Sequence, residues 1–258
     1  MAAAFGDRVI VKGGLVVELR VRRARTTKDI DLRLLGDPEK ALGKIQQAGR
    51  VDLGDFLAFE VRQDPRRPEI EAEGMRYPGR RYRVRGLLAA KLYGSPFGLD
   101  VAFAEPFSGA VEEVEGVPFL AFAGVSPAKV RIYPLEAHIA EKLHAFTMPR
   151  TRPNSRVKDL PDIALLASVR AIDATALAAA IQRTFRARKT HDVPPAVPRP
   201  PEAWGGVYDA MARTDGLRWT SLEGLAKDVS AFLDPVLSGA GGRWDPITWT
   251  WSATASGA

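Results

Sequence analysis

Two carboxylates lie two residues apart in an apolar run, within Arg25-Thr26-Thr27-Lys28-Asp29-Ile30-Asp31. Side chains alternate along a strand, so Asp29 and Asp31 share a face with Cα atoms ~6.5–7 Å apart, and Ile30 and Leu32 take the other. Two like charges on one face of a half-buried strand repel each other and call for a cation between them. An oxygen-only pair suits Mg²⁺ (or Mn²⁺) better than zinc. Asp100 alternates with Leu99, Val101 and Phe103 and projects from a second short strand. Three acids on neighbouring strands could share two metal ions ~3.5–4 Å apart, a geometry suited to in-line phosphoryl transfer. The plainer alternatives are two solvated strand acids for the pair and a strand-end turn acid for Asp100.

Upstream, Lys12-Gly13-Gly14 separates a short strand from a helix. Glycines let backbone approach a phosphate closely, and the helix start that follows favours an anion, although such a pair also makes an ordinary turn. Arg25 and Thr27 flank the acids. Arg25 could steady triphosphate charge by a bidentate contact, or simply belong to the solvated run Arg20, Arg22, Arg23, Arg25.

Further along, Leu135, Ile139, Leu143 and Phe146 form one helical stripe, and Lys142 falls about 55° from its centre. A lysine there must snorkel out or face a buried polar partner. Glu141 turns toward solvent on the same wheel, His138 sits at the boundary, and His144 is expected opposite the stripe and exposed. Arg156-Val157-Lys158-Asp159-Leu160-Pro161-Asp162 follows. Asp159 could cap a helix whose first turn Pro161 marks. Asp159 and Asp162, three apart, share a face and could hold Lys142 or act as a base on a hydroxyl. Arg156 and Lys158 would meet phosphate.

The elements that must position these residues divide into a strand-rich front and a helical back, residues 1–130 and 131–258. Strands are expected at Arg8–Val11, Asp29–Leu34, Phe56–Gln63, Arg81–Leu92 and Gly98–Glu105, with helices at Gly14–Val21 and, after an Asp37 cap, from Pro38 to about Ala48. Helices are expected over Leu135–Phe146, Asp159–Ser168, Asp173–Arg188, Glu202–Arg213 and Ser221–Leu237. The five prolines between His191 and Pro201 make that stretch a connector. Trp244, Trp249 and Trp251 should pin the tail to the body.

With 258 residues the chain can bury a proper core, and a net charge of +6 points to a polyanionic partner such as nucleic acid or nucleotide phosphates. Arg81, Arg83 and Arg85 alternate on one strand face and, with Arg183, Arg186, Arg188 and Lys189, could track a phosphate backbone. The absence of cysteine excludes disulfides, zinc–thiolate sites and thiol nucleophiles. Neither an apolar run of membrane-spanning length nor a secretion signal is visible, so a cytoplasmic location is expected.

Taken in order, Lys12-Gly13-Gly14, the Asp29/Asp31 motif, Leu99-Asp100-Val101, Ala140-Glu141-Lys142-Leu143-His144-Ala145 and Arg156-Val157-Lys158-Asp159-Leu160-Pro161-Asp162-Ile163 resemble the AbiEii/AbiGii-type nucleotidyltransferase toxins, a group that includes the mycobacterial MenT-type toxins. The resemblance runs from about Val9 to Ile163 and continues loosely to the tryptophan-rich tail. It implies an α+β chain: a polymerase-β-like nucleotidyltransferase domain with a mixed sheet, followed by a helical domain. It also implies an NTP substrate, Mg²⁺, transfer of nucleotides to a tRNA 3′ end that blocks translation, and an antitoxin encoded nearby. By that resemblance Gly13 and Gly14 would hold phosphate, Asp29 and Asp31 would ligate metal with Asp100 in the place of the third acid, and Lys142 and Asp159 would be the essential pair of the helical half. Glu141 and Asp162 would support them. The alternatives are NMP transfer to a protein hydroxyl, a non-catalytic nucleotide-binding regulatory partner, and a plain RNA-binding protein.

Overall fold

Strands Val9–Lys12 (β1), Asp29–Leu34 (β2), Leu57–Gln63 (β3), Gly79–Leu88 (β4), Lys91–Phe103 (β5), Glu112–Glu115 (β6) and Lys129–Ile132 (β7) form a mixed sheet in the order β3-β4-β5-β2-β1-β7-β6. β2 runs parallel to β5 and β1 parallel to β7, and the remaining pairs are antiparallel. The structure, a computed structural model, describes residues 5–21, 27–70, 78–103, 107, 109–116, 118, 121–124, 126–151, 154 and 156–253. Arg25 and the strand end expected at Glu105 lie outside the described residues.

Helix α1 (Gly13–Arg20) leaves the end of β1 directly, and α2 (Pro38–Gly49) follows β2. The Asp37 carboxylate accepts the Glu39 N–H at 3.0 Å, and Pro38 opens α2 where no amide donor is needed. Ala41 and Ile45 of α2 pack with Leu32, Leu34, Val61, Tyr82, Val84, Leu99 and Val101. Because strand side chains alternate, that core consigns Asp29, Asp31, Asp100, Arg81 and Arg83 to the opposite face.

The strand expected over Arg81–Leu92 is in fact a hairpin. β4 ends at Leu88, and β5 begins at Lys91 after a two-residue turn in which Ala89 and Ala90 have φ of 47° and 64°. Such turns usually carry Asn-Gly or Asp-Gly because both central residues are left-handed. Two alanines give no such signal, so the run looks continuous. The segment expected from Gly98 is the second half of β5, and β6 and β7 were not anticipated.

The helical part contains α3 (Leu135–Thr147), α4 (Asp159–Ala167), α5 (Ala174–Arg188), α6 (Gly205–Asp215) and α7 (Leu222–Leu237). Asp173 caps α5 by accepting the Ala176 N–H at 2.9 Å, and Ser221 caps α7 through the Gly224 N–H at 3.2 Å. Glu202–Trp204, expected to begin a helix, is a separate 3₁₀ turn ahead of α6. The strands Ile172–Asp173 (β8), Arg243–Asp245 (β9) and Thr250–Ser252 (β10) form a small antiparallel sheet. The Trp244, Trp249 and Trp251 indoles donate to the carbonyls of Ala167, Asp228 and Phe232 at 2.8, 3.1 and 2.9 Å, which ties the tail down. The chain divides into two compact units, one of Met1–Val16, Thr27–Pro106 and Val111–Tyr133 and the other of Val17–Thr26, Phe107–Ala110 and Pro134–Ala258, so that α1 is shared between them. Among the described residues no helix is long and apolar enough to cross a membrane.

Candidate active site

The sheet unit brings the front-half candidates to neighbouring positions. Cross-strand register sets Lys12 opposite Asp31, Asp31 opposite Asp100 and Asp100 opposite Arg81, while Asp29 lies opposite Gly98. Opposed residues project to the same side, so Asp29, Asp31 and Asp100 share a face. Asp29 is exposed and Asp31 half-buried, with Asp29 Oδ1 accepting the Gly98 N–H at 3.1 Å.

Two glycines make room for these carboxylates. Gly13 has φ +68°, and a Cβ on it would stand 1.9 Å from Asp31 Oδ2. A Cβ on Gly98 would stand 2.5 Å from Asp29 Oδ1. Gly13 is therefore required twice over, by its left-handed backbone and by the carboxylate against it. Gly14 is buried behind it in the first turn of α1. The Lys12 ammonium sits 5.1 Å from the centre of the Tyr133 ring, a cation–π contact. The Thr27 hydroxyl turns back to the Asp29 carbonyl at 3.2 Å.

Asp100 is differently placed. Arg81 Nε and Nη2 donate to its two oxygens at 2.8 and 2.7 Å, and this pairing holds the guanidinium pKa above its ordinary value. Asp29 and Asp31 fit a divalent cation: they offer oxygen donors only, on one face, each held by a close backbone approach. Asp100, with both oxygens on Arg81, does not join them, and among the described residues no three acids or histidines are grouped to hold a metal. Arg81 is likewise committed to Asp100 rather than to a ligand.

The helical unit holds a second cluster. Lys142 of α3 places Nζ 3.1 Å from Asp159 Oδ1 and 2.7 Å from Asp162 Oδ2. Arg156 Nε lies 2.9 Å from Asp159 Oδ2, although its N–H is not aimed well enough for a hydrogen bond to that buried oxygen. Asp159 and Asp162 are 4% and 0% exposed in their side chains, so these are charges taken out of water. Two carboxylates against one ammonium and one guanidinium make a locally neutral set, the condition under which buried charges persist. Asp159 opens α4 rather than capping it. It lies in the first turn with Asp162, where the helix dipole favours acids, and their spacing of three puts both toward α3. Lys158 is exposed next to them.

Two expectations about α3 are corrected. His144 is 3% exposed rather than solvated, and its ring packs 4.9 Å from Phe185 and 4.8 Å from His191. Glu141 does not face solvent but pairs with Arg188 at 3.3 Å. Both follow from α5, which covers the side of α3 away from the apolar stripe. His144 Nε2 meets the Thr190 hydroxyl at 2.7 Å, Thr190 meets His191 Nδ1 at 2.9 Å, and His191 Nε2 meets Thr147 Oγ1 at 2.8 Å. Thr147 donates to the Leu143 carbonyl at 3.0 Å, so its oxygen accepts from His191 Nε2. Burial lowers the pKa of both imidazoles, that of His144 to about 4. His191 and Thr190 escaped sequence reading because they lie in and beside the proline-rich connector.

The fold is shared with known proteins. JHP933 from Helicobacter pylori is similar with a TM-score of 0.51 and 16% identity, over 91% of this chain and 86% of that one. The nucleotidyltransferase toxin MenT4 from Mycobacterium tuberculosis is similar with a TM-score of 0.50 and 15% identity, over 94% of this chain and 79% of that one. At such identities the likeness is one of fold. No curated protein sequence matches the chain. The family model for the nucleotidyl transferase AbiEii toxin of type IV toxin–antitoxin systems matches residues 1–239. The chain belongs to the AbiEii nucleotidyltransferase toxin family.

Proposed function

We propose that the protein is a metal-dependent toxin that transfers NMP from an NTP to the 3′ hydroxyl of RNA, with a tRNA acceptor end as the substrate and a block of translation as the result. Residues 1–130, apart from the second half of α1, would form its polymerase-β-like nucleotidyltransferase domain and 131–258 its helical domain. The observation that carries this reading is the Asp29/Asp31 pair on one strand face, with Asp31 pressed against Gly13 and Asp29 against Gly98, since a carboxylate pair beside a glycine-opened helix start suits triphosphate chemistry. Asp29 and Asp31 would hold Mg²⁺ or Mn²⁺, which supplies charge neutralisation on the triphosphate when bound. Lys12, Gly13, Gly14 and Thr27 line the phosphate side, joined by Arg25. Within the helical unit Lys142 and Asp159 are the essential pair, with Asp162 supporting Lys142. Arg156 and Lys158, both exposed beside that cluster, add positive charge for phosphate, and Glu141 steadies α3 through Arg188.

A toxin of a toxin–antitoxin system has an antitoxin partner. We place the toxin in the cytoplasm, where NTP and tRNA are. Incubation with each labelled NTP, Mg²⁺ and total RNA or lysate tests the activity, with Asp29→Ala and Lys142→Ala alongside. Label entering RNA and lost in both variants supports it. Label found only in protein would assign the acceptor to a protein hydroxyl, and nucleotide binding without transfer would make the chain a regulator. Growth arrest on expression, relieved by a neighbouring gene product, tests the toxin role separately.

A further inference from the structure

The face of the sheet that bears Asp29 and Asp31 also carries a row of cations leading away from them. Asp29 is opposite Gly98, Gly98 opposite Arg83, and Arg83 opposite Arg62 on the edge strand β3. With strands ~4.8 Å apart, the Cα of Arg83 lies about 10 Å from that of Asp29, and that of Arg62 about 14–15 Å. Gly98 contributes no side chain between them, and it cannot, because a Cβ there would meet Asp29 Oδ1. The row is therefore unobstructed from the acid to Arg83.

The arginines of this face differ in what they do. Arg81 is committed to Asp100 through both its donors. Arg83 is exposed, and among the described residues no ion pair engages it. Asp64, just after β3, spends its carboxylate on the Arg66 and Arg67 amides at 2.9 Å each and feels Arg83 only as a weaker, longer-range charge. Arg62 has a 3.8 Å contact with Glu60 in which both side chains are largely solvated, a pair of little strength. Like charges directly opposed across a ladder are unfavourable, so Arg83 facing Arg62 weakens the sheet until an anion lies between them.

We infer that Arg83 and Arg62 form the phosphate track along which the 3′ end of an RNA strand is led to Asp29 and Asp31. This rests on the transfer-to-RNA reading and adds the surface that would hold the acceptor. The track runs from the acids to the edge of the sheet, so it suits successive phosphodiesters of one strand. Arg85, the next arginine on β4, faces Glu60 and lies outside the track.

The test is fluorescence anisotropy with a tRNA transcript and a short single-stranded RNA, across a range of salt concentrations. Wild type is compared with Arg83→Ala, Arg62→Ala, the double alanine variant and the double lysine variant, with Arg213→Ala as control. The double alanine variant should weaken single-strand binding about 10- to 100-fold and reduce the slope of log affinity against log salt by about 1.4, near 0.7 for each lost phosphate contact. The lysine variant should keep the slope, and circular dichroism should be unchanged throughout. RNA affinity and slope equal to wild type in the double alanine variant would overturn the track. So would a defect confined to the KM for NTP, which would hand the row to the nucleotide. If wild type binds no RNA and labels only protein, the acceptor reading fails as well, a result distinct from either.

Discussion

The two charged clusters solve the same problem in opposite ways. In the sheet unit the acids stay in touch with water: Asp29 is exposed and Asp31 half-buried. In the helical unit Lys142, Asp159, Asp162 and Arg156 balance one another out of water. Water screens the first cluster, so its charge costs folding little. The second is part of the core, and its lysine can be removed only by stranding two buried carboxylates. One cluster is solvated and the other built into the core, which predicts that activity and stability separate in the first and fall together in the second.

The largest expected break is Lys142→Met. It should abolish transfer and also cost about 3–5 kcal/mol, a fall in Tm of roughly 6–20 °C by thermal denaturation. Adding Asp162→Asn to it should recover part of the stability and none of the activity, which a double-mutant cycle would display. Asp29→Ala should cost transfer about 10³-fold or more while Tm stays within the range of an ordinary surface substitution, about ±0.5 kcal/mol. If Asp29→Ala unfolds the chain, the contrast between the clusters is wrong.

Gly13→Ala lies between these extremes. It forces a left-handed alanine and drives a methyl into the Asp31 carboxylate, so about 1–3 kcal/mol of stability and most of the activity should go, measured by denaturant melts and label transfer. Arg81→Ala should have a smaller effect on folding, about 1 kcal/mol. It releases Asp100 beside Asp31, so Mn²⁺ titration should show tighter binding than in wild type.

The mildest test uses pH. The His144 pKa is lowered from 6.5 to about 4 by burial, so between those values the unfolded chain binds a proton that the folded chain does not. Stability from this group is complete above about pH 6.5 and declines as pH falls toward about 4. Denaturant melts across that window should show the slope, and His144→Asn should flatten it.

How much of this was legible beforehand depends on the range of the interaction. The sharing of a face by Asp29 and Asp31, the Asp37 cap and the misplacement of Lys142 are local, and alternation or a helical wheel exposes them. Asp100 could be placed on a strand, but its capture by Arg81 depends on a register set by a hairpin whose Ala89-Ala90 turn carries no sequence signal. Glu141 and His144 read as surface residues on an isolated wheel, because nothing within α3 reveals that α5 lies over that side. Asp162 was correctly grouped with Lys142, yet its complete burial is a property of packing. The polar chain through Thr190 and His191 is tertiary throughout.

The central claim is transfer of a nucleotide to an RNA 3′ hydroxyl, and the most direct measurement compares one RNA in two forms. A tRNA transcript with an intact 3′ end and the same transcript after periodate oxidation are each incubated with protein, Mg²⁺ and α-labelled NTP, then resolved by size. The account predicts that the intact RNA gains label and lengthens while the oxidised RNA does neither. Label on the oxidised RNA, or label that stays with protein whichever RNA is present, would contradict it.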